Sequence, residues 1–178
     1  LSITATDLDI EIVEKAEAKV ARAGAVTAPA HMLYDIVRKL PEGALLQLEH
    51  SGEDPRLILS AGRSRFQLAS LPREEFPSMT ASDLPHRFAI PAATLKRLID
   101  RTRFAISTEE TRYYLNGIYI HPLPEKKILR AVATDGHRLA RAEAELPKGA
   151  ERMSGIILPR KTVQEVRKLL DDTDAPIE

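Results

Sequence analysis

The chain contains no cysteine. That excludes a disulfide framework, a thiolate metal site and a cysteine nucleophile, and it fits a reducing compartment. No apolar run approaches the roughly 20 residues of a membrane span. Residues 1–12 alternate in character and carry acids, so they are not expected to be a secretory signal peptide. The chain also lacks net charge, with 26 Lys plus Arg against 26 Asp plus Glu. The total therefore says nothing about nucleic acid, and only the placement of the charges can. A soluble, cytoplasmic protein without a membrane partner is expected. Its 178 residues suit one large domain or two small ones. A chain of this length can bury roughly 70% of its unfolded surface, so it needs no metal or disulfide staple.

An internal repeat organises what is there. An apolar approach, a proline and apolar residues at helical spacing occur three times. The copies are Ala28-Pro29 with Leu33, Ile36 and Val37; Ile90-Pro91 with Leu95, Leu98 and Ile99; and Leu158-Pro159 with Val163 and Val166. Offsets of four, seven and eight from the proline mark one helix face, although the third copy places Arg167 at offset eight. Proline suits the first helical turn and drives the preceding residue toward extended geometry. Each copy therefore predicts a strand running directly into a short helix.

A second element repeats as well. Ile3-Thr4-Ala5-Thr6-Asp7 resembles Val132-Ala133-Thr134-Asp135, and residues 60–66 resemble residues 134–139, each between alternating apolar runs. Such runs around turn residues predict hairpins, and residues 51–55 predict a further turn. Strands outnumber helices, which predicts an α+β fold of antiparallel sheets with a few helices on one face. Residues 76–85 carry two prolines and no periodicity, so they read as a linker, with a boundary near 82–86.

Charge is sorted by element. Residues 27–40 hold Arg38 and Lys39 against Asp35, a net +1. Residues 90–103 hold Lys96, Arg97, Arg101 and Arg103 against Asp100, a net +3. Residues 158–170 hold Arg160, Lys161, Arg167 and Lys168 against Glu165, again +3. Lys and Arg favour C-terminal helical turns in any protein, because the helix dipole is negative there. The same bias on three related helices also suits a cationic lane for phosphates, which positions a duplex without reading its sequence.

Residues 112–117, Arg-Tyr-Tyr-Leu-Asn-Gly, precede a hairpin and then residues 133–140, Ala-Thr-Asp-Gly-His-Arg-Leu-Ala. Together with Ser64-Arg65-Phe66 and residues 158–161, Leu-Pro-Arg-Lys, these motifs resemble the bacterial β sliding clamp, the DNA polymerase III beta subunit. The resemblance runs along essentially the whole chain. It implies a DNA clamp fold, with repeated antiparallel sheets outside and short helices on the inner face. Residues 1–85 would be most of a first domain and residues 86–178 part of a second, with a third domain absent. The chain opens on Leu1 and closes soon after a helix-like segment, as expected of a piece of a longer chain.

The resemblance implies a processivity factor rather than an enzyme, with no cofactor. It would encircle double-stranded DNA and tether polymerase, clamp loader and repair proteins through short hydrophobic motifs. The positions matching the peptide pocket are Leu115, Thr134, Gly136, His137, Arg138 and Leu139. Those matching DNA-facing surface are Arg112, Tyr113 and Tyr114, joined by the helix cations Lys96, Arg97, Arg101, Arg160, Lys161 and Arg167. Glu109 and Glu110 stand beside the first of these. Arg63, Arg65, Phe66 and Leu68 match an edge strand at a homodimer interface; read from the residues alone, Phe66 and Leu68 could equally face their own core.

Two other readings compete. Asp135, His137 and Arg138 could form an acid, a base and an anion binder, since alternate residues of a strand share a side. No nucleophile, Gly-rich phosphate loop or metal cluster accompanies them, and His31, His50, His86 and His121 are scattered. The other is a non-catalytic protein-interaction domain without a DNA role.

Overall fold

The computed structural model describes residues 1–51, 55–77, 84–109 and 111–178. Most of the expected turn at 51–55 and most of the linker at 76–85 lie outside the described residues, as does Glu110. The chain divides into two compact units, Leu1–Thr80 and Ala81–Glu178.

In the first unit, β1 (Ser2–Thr6) and β2 (Glu11–Lys15) form an antiparallel hairpin, with Thr6 opposite Glu11. Helix α1 (Ala30–Val37) follows, then a meander of β3 (Leu46–Glu49), β4 (Arg56–Ala61) and β5 (Ser64–Ala69). Alternation on β4 buries Leu57, Leu59 and Ala61 on one face. The register sets Leu57 against Leu68 and Leu59 against Phe66, so these four side chains share that face. Leu33 and Ile36, at offsets four and seven from Pro29, pack against it.

The second unit starts with β6 (Ile90–Pro91) and helix α2 (Ala92–Asp100). A hairpin pair then runs through β7 (Gly117–Leu123), β8 (Ile128–Thr134) and β9 (Leu139–Glu145). Strand β10 (Ile156–Pro159) leads into helix α3 (Arg160–Leu169), and β11 (Pro176–Ile177) closes the unit. The larger sheet has the order β10-β7-β8-β9, and β6 pairs with β11. Thus the strand leading into α3 pairs with the strand after α2, and the strand leading into α2 pairs with the strand after α3. Two similar halves exchange their leading strands.

All three helices start directly after the repeated proline. Pro29, Pro91 and Pro159 are the cap residues, with φ of −63°, −58° and −59° and extended ψ. The ring fixes φ, and no side chain caps the helix. The expected leading strand is present at β6 and β10. Residues 23–29, ahead of α1, form none, which corrects the reading of the first copy.

The core of the second unit pairs small with large. Ala131, Ala133, Ala140, Ala142 and Ala144 line the inner face of β8 and β9, and Leu98, Ile99 and Val163 from the helices share their buried cluster. A close-packed interior needs such matching, because added volume on one side must be removed from the other. Gly117 permits the approach of β7 to β10: a Cβ there would lie 2.2 Å from the Leu158 carbonyl oxygen. Helices α2 and α3 are tied by Arg167, whose Nε donates to Asp100 Oδ1 at 2.7 Å. That bond, with the nearby charges of Arg167 and Arg103, holds the Asp100 carboxyl below its usual range against the opposing effect of burial.

Candidate functional site

Strand β8 ends at Thr134 and β9 begins at Leu139, so residues 134–138 form the turn between them. Two side chains build it. Thr134 Oγ1 donates to the Arg138 carbonyl at 2.7 Å and accepts from the Gly136 N–H at 3.1 Å. Asp135 Oδ1 accepts from the N–H groups of His137 and Arg138, both at 3.0 Å. Local bonds of this kind close turns without tertiary support. Gly136 has φ +91°, the left-handed region that glycine enters without steric cost.

The second carboxylate oxygen of Asp135 accepts from Arg138 Nε at 3.0 Å. The backbone donors of Arg138 and His137 are the main cause of the lowered Asp135 pKa, which falls to about 2. The Arg138 guanidinium also lies over the Phe104 ring, 5.5 Å from its centroid. Beyond the turn, Leu139 is 65% exposed. A Cβ on Gly136 would sit 3.4 Å from Arg112 Nη1, which ties the 112–115 segment to this turn. Leu115 is half-buried there, and its carbonyl accepts from the Ser107 N–H at 3.1 Å. Gly136, His137, Arg138 and Leu139 are exposed, and Thr134 is half-buried. The residues form an open, mixed apolar and polar surface, suited to an extended apolar peptide whose backbone needs polar anchoring.

The acid–base reading of Asp135 and His137 is corrected by this geometry. They lie in a turn, not along a strand, and the Asp135 carboxylate is occupied by two backbone N–H groups and a guanidinium. Among the described residues, no group of three or more His, Cys, Asp or Glu is placed to hold a metal ion.

Tyr113 and Tyr114 occupy a single 3-10 turn, Tyr113–Leu115, and both are exposed. Their rings meet edge to face at 5.7 Å. Arg112 beside them pairs with Glu109 through Nε at 3.1 Å, so the expected phosphate contact already has an acidic partner. The helix cations are unequal. Lys96 is largely buried and pairs with Asp172, Arg97 Nη1 donates to the Glu143 carbonyl at 3.2 Å, and Arg167 binds Asp100. Arg101, Arg160 and Lys161 are exposed.

Arg63, just before β5, and Arg65 on it are exposed, Phe66 is half-buried and Leu68 is fully buried. Leu68 offers no side-chain surface, which corrects its placement at an interface: it faces the unit's own core opposite Leu57. Among the described residues β5 pairs with β4 alone, which leaves its outer backbone edge open.

Phe104 is the contributor the sequence did not flag. It sits in a 3-10 turn, Arg103–Ala105, and is 56% exposed. Nothing in the local pattern around it points to Arg138, 34 positions away.

Solved structures similar to this chain include bacterial sliding clamps. That of the Caulobacter crescentus beta sliding clamp with PEG bound superposes with a TM-score of 0.90 at 57% identity, covering 94% of this chain and 45% of that one. A Bartonella birtlesii sliding clamp bound to griselimycin gives 0.88 at 48% identity, again over 94% and 45%. The chain belongs to the DNA polymerase III beta subunit family: the N-terminal domain model matches residues 1–80 and the central domain model residues 89–178. The beta sliding clamp of Caulobacter vibrioides (strain NA1000 / CB15N) is 54% identical over 180 residues, which is 100% of this chain and 48% of that protein. That of Escherichia coli (strain K12) is 42% identical over 179 residues, 99% and 47% respectively. The chain spans about half the length of these curated relatives.

Proposed function

We propose that this protein is the clamp of a replicative polymerase, a non-catalytic processivity factor that encircles duplex DNA and tethers polymerase, clamp loader and repair proteins. Residues 1–85 serve as its first domain and residues 86–178 as part of its second. It acts in the cytoplasm; no helix among the described residues is long and apolar enough to cross a membrane. The observation that carries the reading is the 134–138 turn, which displays Gly136 and Leu139 to solvent at the end of the β8–β9 hairpin, with the 112–115 segment beside it. These residues, with Thr134, His137 and Arg138, form the wall of a pocket for short hydrophobic motifs. The open edge of β5, flanked by Arg63 and Arg65 and shaped from beneath by Phe66, is the homodimer contact.

DNA contact is electrostatic and independent of sequence. Arg101, Arg160 and Lys161 carry most of it, with Tyr113 and Tyr114 on the adjoining loop. Arg97 and Arg112, also exposed, add to it, and Lys96 and Arg167 contribute less because they are half-buried. The test is topological. Full-length protein, placed on circular duplex DNA by a bacterial clamp loader, should stay bound through high salt and leave when the circle is cut. Release from circle and linear DNA at the same rate would refute encirclement. Replacing Arg101, Arg160 and Lys161 together by Gln should lower loading; unchanged loading would favour an interaction domain without a DNA role.

A further inference from the structure

The ordered guanidinium of Arg138 has no role in folding its own turn. The same turn occurs at residues 6–10, where Thr6 Oγ1 donates to the Ile10 carbonyl at 2.9 Å and accepts from the Leu8 N–H at 3.1 Å. Asp7 Oδ1 accepts from the N–H groups of Asp9 and Ile10, both at 3.1 Å. The position equivalent to Arg138 is Ile10, which can make neither an ion pair nor a cation–π contact. The turn thus closes without an arginine. At 134–138 an arginine is present and is held from two sides, by the Asp135 carboxylate and by the exposed ring of Phe104. A long side chain at 60% exposure ordinarily samples many rotamers, and two separate contacts reduce that freedom.

We propose that Phe104 and Asp135 are positioning residues of the peptide site, which fix the Arg138 guanidinium so that its free N–H groups meet the backbone carbonyls of a bound hydrophobic peptide. The inference rests on the pocket reading above and adds two residues that act through Arg138. Ordering the guanidinium beforehand removes a loss of freedom that binding would otherwise incur. It also keeps this charge from folding across Leu139, the exposed apolar surface beside it. The pKa of Asp135, lowered to about 2, keeps the carboxylate charged over the whole working pH range.

The test uses full-length protein and a fluorescent peptide carrying adjacent Leu and Phe. Phe104→Leu keeps an apolar side chain and removes the π face; it should weaken binding about threefold. Phe104→Tyr should restore it. Asp135→Asn keeps the Oδ1 acceptor for the turn but loses the ion pair, and it should weaken binding by a similar factor that shrinks at high salt. In an Arg138→Met background the effect of Phe104→Leu should vanish, since the ring acts only through the guanidinium. Melting temperatures report folding separately. A Phe104→Leu effect that persists with Met at 138 would overturn the proposal, because the ring would then act on the peptide itself. So would unchanged binding in Phe104→Leu while Leu139→Ala weakens it. If Leu139→Ala has no effect either, the pocket reading fails and takes this one with it.

Discussion

The two turns, at residues 6–10 and 134–138, share a hydrogen-bond plan and differ in what stands at the third position. In both, a threonine hydroxyl bridges the turn and an aspartate oxygen collects two backbone N–H groups. In both, the third residue has positive φ, +78° at Leu8 and +91° at Gly136. The Thr-Asp pair is therefore sufficient to impose the left-handed residue, even against the preference of leucine. An L-residue with a Cβ incurs about 1–2 kcal/mol in that region. Because the turn forms with leucine, glycine at 136 is not required by the turn. Its bareness leaves open the surface beside Arg112, whose Nη1 a Cβ at 136 would meet at 3.4 Å.

The sharpest way to break the comparison is to import the first turn's residue into the second. Gly136→Leu should fold, because the 6–10 turn accommodates leucine. It should lose about 1–2 kcal/mol of stability from the left-handed backbone, measured by denaturant melts. Peptide affinity should fall by at least about tenfold, since a new Cβ would lie 3.4 Å from Arg112 Nη1 and the rest of the side chain would spread over the site. Retained affinity in a folded Gly136→Leu protein would separate the bare turn from peptide binding.

Equivalence of the two turns has its own test. Thr6→Val and Thr134→Val each remove a hydroxyl that donates once and accepts once. Each should cost about 1–2 kcal/mol, and the two losses should agree, although they lie in different compact units. A large difference would show that one turn is held mainly by its surroundings.

The pH dependence tests the second turn by itself. Asp135 is more acidic in the folded state, at about 2, than its ordinary value of 3.8. A depressed carboxyl contributes stability that is complete above its unfolded pKa and is lost as pH falls through the folded one. The stability gap between wild type and Asp135→Asn should therefore be constant above about pH 5 and close between about pH 4 and 2. Denaturant melts at stepped pH would read this. A gap unchanged at pH 2 would mean that charge on Asp135 is irrelevant to the turn.

Much of this fold was legible in the residues. Proline followed by apolar offsets of four and seven placed all three helices, because a fixed φ and a single buried face are local properties. The Thr-Asp repeat announced paired hairpins for the same reason. The exchange of leading strands between the halves of the second unit was not legible, since strand pairing depends on sequence-distant backbone. Leu68 shows the limit of positional likeness: alternation on β5 sends it inward with Leu57, which a motif match cannot reveal. The helix cations show another, since counting charges cannot tell that Lys96 and Arg167 are engaged by Asp172 and Asp100. Phe104 was invisible because its partner is set by tertiary packing.

The smallest expected effect is the reciprocal exchange. Leu8→Gly relieves the left-handed strain of about 1–2 kcal/mol and adds about 0.5–1 kcal/mol of backbone entropy to be lost on folding. The net should be a gain of about 0.5–1 kcal/mol in the stability of the first unit. Leu8 is 71% exposed, so no core contact is lost with its side chain. A destabilised Leu8→Gly protein would show instead that the leucine side chain has a partner in full-length protein that compensates its strain. Comparing the substitution in residues 1–178 and in the full-length protein distinguishes these cases. Stabilisation in the shorter chain with destabilisation in the longer would place Leu8 in a contact made only there.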